Sequence, residues 1–169
     1  MIKSLRIRLR HLWLVLVVGP WLLRRSGYRS LYREMRRFVV QLPEAMSQPL
    51  RGALRQLDPP TSGASVHVPE RDIRLLADIT ALLDRRSPIG LCLRRSLTRY
   101  HFLRRAGVAV DLQVGARPLE TSERRRIAGH AWLTLDGRPY FEPDAHWQDF
   151  VVMVTWPEQV GAPTLERPV

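Results

Sequence analysis

The sequence predicts an α+β domain in which a helical first half packs on a small antiparallel sheet, and three observations carry that expectation. Apolar residues recur at three- and four-residue steps through the first hundred or so positions. Beyond Gly107 the spacing changes to two, with Val108, Val110, Leu112 and Val114 alternating with Ala109, Asp111 and Gln113. An Asp136-Gly137 pair then separates two short runs in the manner of a hairpin turn. Helices followed by antiparallel strands define the α+β class. At 169 residues the chain is long enough for one domain with a real core and short for two.

The elements follow in order. Leu31, Met35, Phe38, Val39 and Leu42 place one apolar stripe on a first helix that Pro43 is expected to end. A second short helix is expected from Glu44 to about Leu57, and Asp58-Pro59-Pro60-Thr61-Ser62-Gly63-Ala64-Ser65 is dense in turn formers. Ile73, Leu76, Ile79 (or Thr80) and Leu83 form the next stripe. Ser87 then offers an N-cap and Pro88 a first-turn residue for a helix running through Cys92, Leu93, Leu97, Tyr100 and Leu103. Gly107 stands where a left-handed cap is usual. Residues 116–128, with Arg124-Arg125-Arg126, read as a mobile polar loop. The hairpin Gly129–Leu135 and Arg138–Glu142 follows, and Phe150–Val154 reads as a last, well-buried strand. Residues 1–57 thus form a helical N-terminal portion, 58–69 a loop, 70–157 the core expected to carry the chemistry, and 158–169 a tail, within one domain overall.

Composition narrows the function. Hydrophobic content of 45% and charged content of 25% are ordinary globular values. A single cysteine excludes an intramolecular disulfide framework and suits a reducing compartment. The net charge of +11 is carried almost wholly by arginine, Lys3 being the only lysine. Such a charge can hold an acidic peptide or anionic lipid. Neither zinc-finger spacing nor the aromatic-plus-basic signature of RNA readers is present, so a nucleic-acid partner is not expected. No metal or other cofactor is expected either, because one cysteine with scattered His67, His101, His130 and His146 has no ligand spacing. His101 reads as a helix-surface residue, His146 with Trp147 as a packing pair, and Arg94-Arg95 as a solvated face.

At the N-terminus, Lys3, Arg6, Arg8 and Arg10 precede the apolar run Leu12–Val18, which Gly19-Pro20 breaks. The run falls well short of the ~20 apolar residues that span a bilayer, and no small-x-small cleavage site precedes Arg24-Arg25. A buried or partner-facing helix is expected, with interfacial membrane contact through 12–23 as the alternative. The expected location is the cytoplasm, at the membrane if that segment meets lipid.

Three places carry chemistry. Cys92 lies near a helix start, His130 on a strand, and Glu142 and Asp144 at the end of the paired strand, an order shared by papain-like and transglutaminase-like sites. A thiol reacts as thiolate, which the first helical turn and a neighbouring imidazole both favour. The imidazole can later protonate a leaving amine, and a carboxylate can orient it. Taken singly, each residue has a plainer reading: a small buried hydrophobe, a satisfied strand histidine, a solvated charge. Hairpin register separates the acids. A two-residue Asp136-Gly137 turn pairs Leu135 with Arg138 and sends Glu142 to the wrong side. A three-residue Leu135-Asp136-Gly137 loop pairs Thr134 with Arg138 and sets His130 opposite Glu142. Glu142 is thus the acid on condition that the loop has three residues, with Asp144, two residues on and on the same face, in reserve and Asp136 as a turn former.

The runs Cys92-Leu93-Arg94-Arg95-Ser96-Leu97, Leu103-Arg104-Arg105-Ala106-Gly107, Leu112-Gln113-Val114-Gly115-Ala116 and Gly129-His130-Ala131-Trp132-Leu133 resemble the lasso-peptide biosynthesis B2 proteins. These are transglutaminase-like cysteine proteases that remove the leader from a ribosomally made lasso-peptide precursor. The likeness runs from about Pro88 to Glu142. It implies a papain/transglutaminase-like core, with Cys92 as nucleophile, His130 as acid/base and the third member at Glu142. The family more usually has aspartate there, so the third position stays open between Glu142 and Asp144. The resemblance also implies partners: the precursor peptide with its leader, a small B1-type leader-recognition protein, and an ATP-using macrolactam synthetase. The alternatives are a transglutaminase-like acyltransferase or amidase acting on another peptide, and a non-catalytic partner-binding module.

Overall fold

A computed structural model describes residues 12–14, 16, 20, 24, 26–60, 68–119, 126–142 and 145–158. Helix α1 spans Ser26–Ala45 and buries Leu31, Met35, Val39 and Leu42 on one stripe. Pro43 lies inside its last turn instead of ending it. Helix α2 is shorter than the periodicity suggested, Leu50–Leu57, and starts after Pro49. Helix α3 runs Glu70–Leu83, with Ile73, Leu76, Ala77 and Ile79 inward. Helix α4, Leu91–Arg105, buries Leu97, Tyr100, Phe102 and Leu103. Gly107 ends it at φ +87, with the Gly107 N–H donating to Arg104 O at 2.9 Å and the Val108 N–H to Leu103 O at 3.0 Å. That pairing closes the carbonyls a helix C-terminus leaves unpaired.

Four antiparallel strands follow: β1 Asp111–Leu119, β2 Arg126–Leu135, β3 Arg138–Pro139 and β4 Val151–Trp156, ordered β3-β2-β1-β4. Residues 116–119 and 126–128, expected in a loop, extend β1 and β2, and 120–125 lie outside the described residues. The expectation of a well-buried last strand is also overturned. β4 is an edge, and Val151, Val152 and Met153 are exposed. Its burial is confined to the inner end, at Trp156.

Directly paired residues share a face of the sheet. Leu112 stands between Leu133 and Trp156, and Val114 between Ala131 and Val154. This face joins the core formed by α1, α3 and α4. The architecture is therefore α+β, as expected, with α4 laid against β2 and β1. A buried bidentate pair, Arg99 to Asp78 at 2.7 and 2.6 Å, ties α4 to α3. Of the N-terminal segment, Leu14 is buried in the core while Leu12, Trp13 and Leu16 are exposed; the rest of 12–23 is largely outside the described residues. No helix among the described residues is long and apolar enough to cross a membrane.

Candidate active site

Cys92 is the second residue of α4, whose N-cap is Gly90 and not the expected Ser87. The Ser87–Gly90 turn that delivers it is held by Arg94. This side chain donates to Ile89 O at 2.8 Å, and through two nitrogens to Ala81 O at 3.0 and 2.8 Å. Arg94 is 5% exposed, so the solvated-face reading fails for it. A guanidinium satisfies three carbonyl bonds with one rigid fork, which suits a turn that carries no side-chain cap.

The short β3 shapes the site. Tyr140 N–H donates to Leu133 O at 2.8 Å, marking the last backbone bond on that edge of β2. Ala131, two residues back, directs its polar groups to the same edge, beyond the reach of Pro139. Helix α4 takes them up. Ser96 Oγ–H donates to Ala131 O at 2.8 Å, and the Ala131 N–H reaches the Cys92 sulfur. The Leu93 N–H, from the first helical turn, also serves the thiol.

His130 lies on the other face of β2, opposite Gly115. Its ring stacks on Trp132 at 5.7 Å and 19° and meets Phe150 at 5.2 Å. Gly115 makes this possible: a Cβ there would stand 3.0 Å from both the Trp132 ring and Phe150 Cβ. His130 is the neighbour that acts most strongly on the Cys92 thiol. Its buried Nε2 has no hydrogen-bond partner of good geometry, and the nearest acid is Glu142 Oε1 at 3.5 Å, an ion-pair distance.

Of the two hairpin loops, the structure has the shorter. The turn is the two-residue one: Leu135 pairs with Arg138 and Thr134 with Pro139, with Asp136 at φ +51 and Gly137 at φ +73. Two positive φ values match the twist of a tight hairpin, and aspartate tolerates that conformation. A regular strand in this register would turn Glu142 away from His130. It does not continue: pairing stops at Pro139, and Phe141 takes φ +51. That left-handed residue breaks the alternation and returns Glu142 to the histidine. For a bulky side chain the conformation costs about 1–3 kcal/mol. Asp144, the reserve acid, lies outside the described residues.

Arg95 completes the cluster. Its terminal nitrogen donates to both Glu142 oxygens at 3.3 Å. Expected on a solvated face, it lies one turn after Cys92 and is directed at the acid. Helical spacing could have suggested this, since i and i+3 share a face. His101 is likewise no surface residue. Its Nδ1 lies 2.8 Å from Leu57 O and its ring is 4.5 Å from Phe38, joining α4 to α2 and α1.

The electrostatics follow from these contacts. The hydrogen bond to His130 holds the Cys92 thiol below its ordinary value, outweighing burial, with the imidazolium charge and the Ala131 and Leu93 N–H groups assisting. The Cys92 bond, then the Glu142 carboxylate, push His130 up to about 9 against burial. Burial alone would raise Glu142; the His130 bond and the Arg95 charge together hold it below the usual carboxylate value. Such an arrangement shifts the thiol toward thiolate, the imidazole toward imidazolium and the acid toward carboxylate. No cluster of three His, Cys, Asp or Glu side chains able to hold a metal occurs among the described residues.

A helix-borne thiol, a strand histidine and an acid beside that histidine, on an α+β frame, define a transglutaminase-like arrangement. The sequence pattern of the transglutaminase-like superfamily matches residues 38–155, and the chain belongs to that superfamily. No curated protein and no solved structure matches the chain.

Proposed function

We propose that this protein is a cysteine peptidase that removes the leader from a ribosomally made lasso-peptide precursor, with Cys92 as nucleophile, His130 as acid/base and Glu142 as the orienting acid. Membership of the transglutaminase-like superfamily supports a cysteine-based acyl-transfer chemistry; the finer substrate rests on the sequence resemblance. The observation that carries the reading is the unbroken line of contact from Glu142 through His130 to Cys92.

In this reading the thiolate adds to the carbonyl at the leader junction. The Cys92 N–H, in a first turn with no intrahelical acceptor, is placed to stabilise the developing oxyanion. His130 gives its proton to the departing amine as the C–N bond breaks, leaving a thioester on Cys92. Water, deprotonated by His130, then hydrolyses the thioester and restores the thiol. Glu142, itself held by Arg95, keeps the imidazole protonated and aligned. The precursor is presented by a B1-type leader-recognition protein, and the released core passes to an ATP-using macrolactam synthetase. The site of action is the cytoplasm, with membrane attachment through 12–23 a matter for vesicle flotation.

The test is cleavage of a lasso precursor in the presence of its leader-recognition protein. Free leader acid and free core amine are expected, and Cys92→Ala is expected to abolish both while the fold persists. Cleavage retained in that variant would overturn the reading. An adduct with an added amine, in place of free acid, would make the enzyme an acyltransferase.

A further inference from the structure

We propose that Phe141 and Arg74 are positioning residues, a clamp through which helix α3 holds Glu142 against His130; the inference rests on the peptidase reading above. Phe141 is a poor choice for its backbone conformation. At φ +51 glycine or asparagine would be at ease, whereas a bulky side chain is disfavoured. Burial does not account for it, because the residue is 56% exposed. What engages the ring is a cation. The Arg74 guanidinium carbon lies 3.2 Å from its centroid, and Tyr140 meets it edge-on at 4.9 Å and 82°.

Both partners are anchored to α3. Tyr140 O–H donates to Glu70, and the same Arg74 guanidinium lies 5.6 Å from the Tyr140 centroid. The segment Tyr140–Glu142 is therefore fastened to α3 at two successive side chains, just where strand pairing has ended. Ring–guanidinium attraction offsets the unfavourable backbone, and that backbone is what turns Glu142 toward Nε2. Glycine would permit the turn and equally permit its loss. Phenylalanine under Arg74 fixes it. The line of support runs from Arg74 to Phe141, Glu142, His130 and Cys92, and neither Arg74 nor Phe141 touches the reacting atoms.

The test uses the chain's one cysteine, so alkylation by iodoacetamide, followed by intact mass against pH, reads Cys92 alone and needs no peptide. Wild type is expected to show an inflection below that of a free thiol. Phe141→Ala, which loses the ring and keeps the backbone penalty, and Arg74→Gln should both move it upward by roughly half a pH unit or more, about threefold in thiolate fraction. Phe141→Gly should fall between wild type and Phe141→Ala, and Phe141→Trp, which keeps a ring over Arg74, should match wild type. Thermal melts confirm that each variant is folded; Phe141→Gly and Phe141→Trp keep the test decisive if another is not. A low wild-type inflection with superimposable Phe141→Ala and Arg74→Gln profiles would overturn the clamp and leave the peptidase reading standing. A wild-type Cys92 that titrates as a free thiol would overturn both.

Discussion

Glu142 Oε1 lies 3.5 Å from His130 Nε2, although the tight hairpin joining their strands has the register that would place them on opposite faces. The contact exists because pairing ends at Pro139 and Phe141 adopts a left-handed backbone. The acid of the proposed triad is thus held by side chains from outside the hairpin. That makes its neighbours as informative as the acid itself.

Replacing Glu142 by glutamine keeps the shape and removes the charge that supports the imidazolium. His130, now at about 9, should titrate lower and the thiolate fraction at neutral pH should fall. We expect a loss of roughly 10–100-fold in kcat/KM, about 1.4–2.7 kcal/mol. Glu142→Ala should lose more, because it leaves the Arg95 cation beside His130. Steady-state cleavage of a precursor peptide measures both, and activity equal to wild type in Glu142→Ala would remove Glu142 from the mechanism.

The pH profile should be a bell. Cys92 is held below its ordinary value, so activity should rise on the acid side before a free thiol would ionise. His130 must be protonated to serve the leaving amine, so activity should fall as pH passes through about 9. The two limbs belong to the coupled pair and not to either residue singly. Arg95 helps hold Glu142 in its charged form. Its removal raises that carboxyl, so in Arg95→Met the acid limb should move to higher pH. A profile of kcat/KM for wild type and Arg95→Met tests both statements.

Stability should depend sharply on the Arg99–Asp78 pair, whose side chains are 5% and 8% exposed. Removing one partner strands a buried charge, for which about 3–5 kcal/mol is usual. Asp78→Ala and Arg99→Ala should each lower the denaturant midpoint by that order. A double replacement, Asp78→Leu with Arg99→Met, should recover most of the loss. Urea unfolding of the three variants decides whether the pair acts as one unit.

The site was readable in the sequence where local pattern decides structure, and unreadable where tertiary contacts do. The helical stripe and Gly107 identified α4, period-two alternation pointed to β1, and the Asp136-Gly137 turn to the strand of His130. Edge position cannot be read from composition, so the Val151-Val152-Met153 run looked buried when it lies on the rim of the sheet. Arginines were the largest blind spot. In a basic chain Arg94, Arg95 and Arg99 look like any other arginines, and only packing shows that they hold a turn, an acid and a neighbouring helix. Glu142 lies beside His130, but not through the hairpin register that would have set them opposite each other. Register alone required a three-residue loop for that contact, whereas a strained Phe141 achieves it with two.

Gly115 offers a sharp test of how the histidine is seated. It pairs with His130 across β1 and β2, and a Cβ there would stand 3.0 Å from Trp132 ring atoms and from Phe150 Cβ. Trp132 is 2% exposed and cannot swing aside, and a contact to Phe150 Cβ can be relieved only by moving backbone. Gly115→Ala should therefore cost about 1–3 kcal/mol, the usual range for overpacking. Because His130 stacks on Trp132 and rests against Phe150, the same displacement should carry the imidazole off the Cys92 sulfur. The alkylation inflection of Cys92 should then rise along with the loss of stability. Gly129→Ala supplies the control for stability, since a Cβ at that position meets no atom within 4 Å. Thermal unfolding of the two variants, with Cys92 labelling of Gly115→Ala, makes the comparison. Equal melting of the two would show that the Trp132 ring does not rest on Gly115.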